Sequence, residues 1–220
     1  MAARSEAVAK RSPGDRAPGR GKYDRSHSPD ERAREQRRRL FTAAALIFAK
    51  RGYANSTVDD VCTEAGVSRR TFYEHFGDLR DCLIKLHERV GNQSFRAVEQ
   101  YCKAQEHPND QLRAGVEGLL GLIANFPEQA KVIFREVRAA GPDLEGRREA
   151  LLQRFATLMF EGVARAHALG VCKLPPDETR IFALVAAMEA VGMRYVDRGE
   201  HSRAIEAAPA LVDMVIRTFA

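Results

Sequence analysis

The sequence predicts an all-α chain of about nine helices, and three observations predict it. Apolar residues recur three and four positions apart through most of residues 28–219, the spacing that lines one face of a helix. Capping residues and Gly or Pro breakers punctuate that pattern at lengths a helix can fill. No stretch sustains the period-two alternation of a half-buried strand.

Each element follows from its own residues. Ser28-Pro29-Asp30-Glu31 is a helix start: Ser28 can cap, Pro29 suits the first helical position, and Glu31 completes a capping box. Leu40, Phe41, Ala44, Ile47 and Phe48 fall on one face of that helix, and Gly52 ends it behind Lys50 and Arg51. A short helix follows from Ser56-Thr57 to Ala65, a third from Ser68 to about Phe76, and a fourth from Asp78 to the stop at His107-Pro108. Further helical patterns fill about 110–125, 127–140, 143–169, 177–198 and 203–219. Phe126-Pro127, Gly141-Pro142, Gly170 with Pro175-Pro176, and Gly199 separate them. Pro209 leaves the start of the last helix open.

Composition narrows the class. The chain has 220 residues and a formal net charge of +5. It is long enough to bury a core without a disulfide or metal staple. The longest purely apolar run, Ile181 to Met188, is too short to span a bilayer. No apolar stretch occurs in the first 39 residues, so no secretory signal is read there and a cytoplasmic location is expected. Cys62, Cys82, Cys102 and Cys172 are too widely spaced for a metal knuckle and are expected as reduced, mostly buried thiols.

The charge is uneven. Residues 1–29 hold seven Lys and Arg against three acids, residues 30–90 twelve against ten, and the remainder sixteen against seventeen. A polyanion is therefore drawn to the N-terminal part. Residues 1–27, with Pro13, Gly14, Pro18, Gly19 and Gly21, read as a flexible basic arm. An inert tail and an arm trailing along DNA both fit.

The informative segment is STVDDVCTEAGVSRRTFYEHF, residues 56–76. Gly66 can take the left-handed backbone of a tight helix exit, Val67 can plug the corner, and Ser68 can cap the next helix. Val58, Val61 and Ala65 form a narrow apolar face, and Cys62 is small enough for close helix approach. Phe72 and Phe76 point inward. Arg70, Tyr73 and Glu74 point outward, with Arg69 at the exposed end. This is the layout of a helix-turn-helix, whose second helix lies in the major groove.

From about Arg37 to Leu83 the sequence resembles the DNA-binding domain of the TetR family of bacterial transcriptional regulators. The matching stretches are A-x-x-x-F-A-x-R-G-Y at Ala44 to Tyr53, T-V-x-D-V at Thr57 to Val61, and A-G-V-S-R-R-T-F-Y-E-H-F at Ala65 to Phe76. The rest matches only in kind, as a helical second domain of the expected length. The resemblance implies a homodimeric regulator, most simply a repressor, released from a double-stranded DNA operator by a small lipophilic effector. It implies a three-helix helix-turn-helix domain at 28–77 and a ligand-binding and dimerisation domain at 78–220. A DNA binder or architectural protein without ligand control is the alternative.

Roles follow residue by residue. Thr57 matches a position where a hydroxyl and free N–H groups receive a phosphate. Thr71, Tyr73 and His75 match positions that grip backbone or flanking bases. Arg69 and Arg70 are candidates for guanine contacts, and Ser68 caps the helix that carries them. Glu74 either accepts from a cytosine amine or repels phosphates. A histidine beside Phe76 can also simply pack. Where the family often has a basic residue, this chain has Leu79, with Arg80 next to it as a possible substitute.

The second domain is quieter. Phe95, Tyr101, Phe126, Phe134, Phe155, Met159, Phe182 and Met188 suit a core or a pocket. Gly115, Gly118 and Gly121 allow close packing or leave room for a ligand. The apolar stripe of the last two helices, from Ile181 through Met188 to Phe219, is expected as the homodimer contact. No H-E-x-x-H, Cys/His cluster or glycine-rich phosphate loop occurs. No enzyme, metal, cofactor or membrane partner is therefore expected.

Overall fold

The computed structural model describes residues 28–220, and every regular element among them is helical. The basic arm, residues 1–27, lies outside the described residues. Nine helices are present there: α1 (Pro29–Arg51), α2 (Val58–Ala65), α3 (Arg69–His75), α4 (Leu79–Lys103), α5 (Pro108–Asn125), α6, α7 (Pro142–Ala168), α8 (Glu178–Asp197) and α9 (Ala208–Phe219). Helix α6 is composite: Pro127–Lys131 and Val137–Ala139 flank a π turn, Val132–Glu136.

The caps are as expected. Glu31 N–H donates to Ser28 Oγ at 3.2 Å, and Ser28 N–H donates to the Glu31 carboxylate at 2.7 Å. Thr57, Ser68 and Asp78 cap α2, α3 and α4. Each accepts a first-turn N–H that the helix itself leaves unpaired. Gly66 is left-handed at φ 61°, and Val67 N–H returns to the Cys62 carbonyl at 3.0 Å, closing α2.

One core runs through the molecule. Leu40, Ala44 and Phe48 of α1 meet Val61 of α2, Phe72 of α3, Phe76 just beyond it, and Cys82 and Leu83 of α4, all with almost no exposed surface. The Phe41 and Phe76 rings lie 5.3 Å apart edge to face, as the ring quadrupole favours. Burying one such phenylalanine stabilises by about 1.5–3 kcal/mol. Helix α4 begins under this cluster and runs on to pack against α5 and α7. It reaches Gly118 of α5 so closely that a Cβ there would lie 2.6 Å from the Tyr101 ring. Gly118 therefore serves close packing, as does Gly115 against Cys102, whereas a Cβ at Gly121 meets nothing.

Three expectations are corrected. The stretch 127–140 is interrupted by the π turn, an insertion that sequence periodicity does not register. The last α-helix starts at Ala208, preceded by a 3-10 segment over His201–Ala207. Pro209 has no N–H to donate and is accepted only in a first turn. The apolar stripe of α8 and α9 divides: Phe182, Val191 and Ile216 keep exposed surface, while its other members face inward. Ile181, Val185 and Met188 of α8, with Val212, Val215 and Phe219 of α9, are buried within one protomer.

Candidate nucleic-acid interface and ligand cavities

Helix α3 carries the outward face that its spacing predicted. Arg69, Arg70, Tyr73 and Glu74 are exposed, and Phe72 is fully buried beneath them. The position of α3 is set from three sides. The Arg39 guanidinium of α1 donates to the carbonyls of Ala65 and Gly66, the latter at 3.1 Å, and so ties α1 to the turn. Arg51 pairs with Asp60 of α2. Phe72 and Phe76, with centroids 5.3 Å apart, press α3 onto the core. Arg39 is a positioning residue that the sequence reading missed. Within the run Arg37-Arg38-Arg39 nothing local distinguishes it from its neighbours.

The predicted contact residues divide by geometry. Thr57 spends its hydroxyl within a capping box, donating to the Asp60 carboxylate at 2.7 Å. Hydrogen bonds from Thr57 and the charge of Arg51 hold the Asp60 carboxyl below its ordinary range. Ser68 Oγ accepts from Thr71 N–H at 3.1 Å and lies 3.0 Å from the Thr71 hydroxyl. Arg69 meets Asp59 at 3.0 Å, and Arg70 meets Glu74 at 3.2 Å. Both pairs are exposed, so they are worth little and yield to a better anion. Tyr73 is half exposed. His75 is set apart: its Nε2 is buried without a hydrogen-bond partner, and burial lowers its pKa, helped by the charge of Arg37. Leu79 packs against the core. Arg80 is half buried at the start of α4, close enough to Tyr53 for its charge to act on that phenol.

The later helices enclose two cavities. The first, about 270 Å³, lies among α4, α5, α7, α8 and α9, near the small end of the range for ligand pockets. Val98, Cys102, Leu112, Val116, Phe155, Met159, Met188 and Phe219 make it apolar. Its charged lining residues are Glu99, Lys103, Glu161 and Arg165. Lys103 pairs with Glu99 at 2.9 Å, and Arg165 donates to the Gln111 amide oxygen at 3.3 Å. The second cavity, about 300 Å³, lies between α4, α5 and α6, and its polar lining is the neutral Gln93, Ser94 and Gln129. Of the aromatic and methionine candidates, Phe155, Met159 and Met188 line the first cavity and Phe126 and Phe134 the second. Phe95 instead packs on Phe155 at 5.6 Å, and Tyr101 is half exposed.

Among the described residues no three His, Cys, Asp or Glu side chains group as metal ligands, and no helix is long and apolar enough to cross a membrane. Glu189, buried in α8, pairs with Arg148 of α7.

Residues 40–86 match the model of the bacterial regulatory proteins of the tetR family. The HTH-type transcriptional activator FasR of Mycolicibacterium smegmatis is 24% identical over 135 residues, 61% of this chain and 62% of that protein. The fatty acid metabolism regulator protein of Bacillus subtilis is 24% identical over 120 residues, 54% of this chain and 62% of that protein. The chain thus matches less than two thirds of the length of these curated relatives. Among solved structures, FadR from Bacillus subtilis in complex with stearoyl-CoA superposes with a TM-score of 0.74 at 18% identity, covering 83% of this chain and 99% of that one. FadR from Bacillus halodurans gives 0.73 at 17%, covering 81% and 97%. Together with the helix-turn-helix geometry, the match shows that residues 40–86 form a segment of the kind found in the tetR family of bacterial regulatory proteins.

Proposed function

We propose that the protein is a sequence-specific DNA-binding transcriptional regulator that works as a dimeric repressor and is released from its operator by a small lipophilic effector. The single observation that carries the DNA half is α3: two arginines and a tyrosine face outward over a fully buried Phe72. Arg69 and Arg70 are its base-reading residues, and Thr57, Ser68, Thr71, Tyr73, His75 and Arg80 its phosphate and flanking contacts. Residues 28–77 form the reading head, and 78–220 form the effector-binding and dimerisation unit. The homodimer contact stays with the last two helices, moved to side chains that the protomer leaves half exposed or exposed: Phe182 and Val191 of α8, Met214 and Ile216 of α9.

The effector class we propose is a long-chain acyl compound. The first cavity is apolar, with Lys103 and Arg165 beside Glu99 and Glu161 among its lining, and a structural relative was solved with stearoyl-CoA. Two connections carry the signal. Helix α4 belongs to both units, and α6 grips the end of α1. The coupling needed is about 1–3 kcal/mol and is reciprocal.

Footprinting on the protein's own promoter tests the DNA reading, with random duplex as competitor. A protected site that survives competition is the expected result. Equal competition by random DNA favours the architectural alternative. A thermal-shift screen with fatty acids and acyl-CoA thioesters tests the effector class, and no stabilisation by any member defeats it.

A further inference from the structure

The two cavities meet at one side chain. Leu119 of α5 lines both of them and is itself buried. One turn before it, Gly115 and Val116 face only the first cavity; one turn after it, Leu122 and Ile123 face only the second. Helix α4 lies against α5 in the opposite order. Its Cys102 and Val98 line the first cavity, and Ala97 and Val90 the second. The α4–α5 seam is therefore one continuous wall that passes Leu119.

The polarity along this seam has one direction. Lys103 and Arg165 line the first cavity together with Glu99, which pairs with Lys103, and Glu161, whereas no charged side chain lines the second. An anionic amphiphile gains only in one orientation, with its head in the first cavity and its tail toward Leu119, because an ion in the second would be desolvated without a partner.

We propose that Leu119 is a chain-length gate, so that short acyl chains end against it and longer ones turn it aside and extend into the second cavity. This rests on the acyl reading above and assigns it a specificity-determining residue. The far cavity is walled by Ala130, Ile133 and Phe134 of α6. The same helix carries Lys131 and Glu136, whose side chains hold the backbone of Ala49 and Tyr53 beside the reading head. A chain that passes Leu119 presses on the helix that holds the head, and a chain that stops short does not.

The test titrates the full-length protein by calorimetry with saturated fatty acids from octanoate to icosanoate and with their CoA thioesters. Each methylene that finds apolar wall tightens binding about fourfold. Leu119→Ala is expected to tighten the chains long enough to pass the gate while leaving shorter ones unchanged, and Leu119→Trp to move the tightest-binding length down. Ala97→Phe, on the half-buried wall of the far cavity alone, is expected to move it down without touching the gate, and it serves where a Leu119 variant fails to fold. The same optimum in wild type and every folded variant overturns the gate and leaves the acyl reading standing. Failure of wild type to bind any member of either series overturns both.

Discussion

The carboxylate of Glu136, buried in the π turn of α6, accepts the backbone N–H of Tyr53 at 2.7 Å. Tyr53 follows Gly52, the residue that ends α1, so this bond joins the end of the reading head's first helix to the body of the protein. The residues are 83 apart in sequence. Lys131, one turn earlier in α6, reaches the Ala49 carbonyl at 3.5 Å and doubles the grip. A part-buried backbone N–H gains from this carboxyl acceptor, and removing the acceptor leaves the donor unpaired. We expect Glu136→Ala to lower stability by about 1–3 kcal/mol, with Glu136→Gln falling between it and wild type. The same variants should shrink the effect of effector on operator affinity. Unchanged coupling, measured by fluorescence anisotropy with and without effector, would leave α4 as the only lever.

Arg70 is the more exposed of the two outward arginines, and among the described residues it pairs with Glu74. Arg70→Ala should relax base preference at one operator position by about 1–3 kcal/mol, while Thr71→Val weakens binding to all sequences alike. Selection from a randomised duplex pool reads both. A motif unchanged by Arg70→Ala refutes base readout.

Met188 is 2% exposed and lines the first cavity. Met188→Glu should therefore lower the melting temperature rather than yield folded monomers, because it buries a charge without a partner. Val191→Glu, at a half-exposed position of α8, should instead shift sedimentation toward monomer with little change in melting. A dimer that survives Val191→Glu and Phe182→Glu places the contact elsewhere.

His87 sits buried on α4 with Nε2 unpartnered. Burial, reinforced by the charge of Arg147, pushes its pKa down to about 4, against the smaller opposing pulls of Glu88 and the backbone of Ile133. In the unfolded chain the ring titrates at its ordinary value near 6.5, so between there and about 4 the unfolded state binds more protons. Stability is then full above about pH 6.5 and falls as pH drops through that window, by on the order of 3 kcal/mol. His87→Leu should flatten this part of the curve of melting temperature against pH. An equally steep fall in the variant assigns the loss to other groups.

Deleting residues 1–27 should flatten the plot of log K against log salt, because fewer counterions are released from the duplex. An unchanged slope makes the arm inert.

The sequence by itself determined the local chemistry. Ser28 with Glu31, Gly66 with Ser68, and the Phe72–Phe76 spacing each act within a few residues, so one short window holds everything needed to read the helix-turn-helix. Pro209 and the π turn at Val132–Glu136 show where windows fail. The first gave only a possible boundary, and the second arises where α6 is drawn against the end of α1. Only the tertiary structure decided which apolar side chains face inward, because a stripe on α8 looks the same whether another chain or the protomer's own α5 and α7 cover it. Met188 belongs to the second case. Only the fold could single out Arg39 from its neighbours, bring Glu136 to Tyr53 and set Leu119 between two cavities. Those relationships depend on how helices cross, and crossing is fixed by the shape and volume of the whole packed interior, not by the spacing of residues along any one helix.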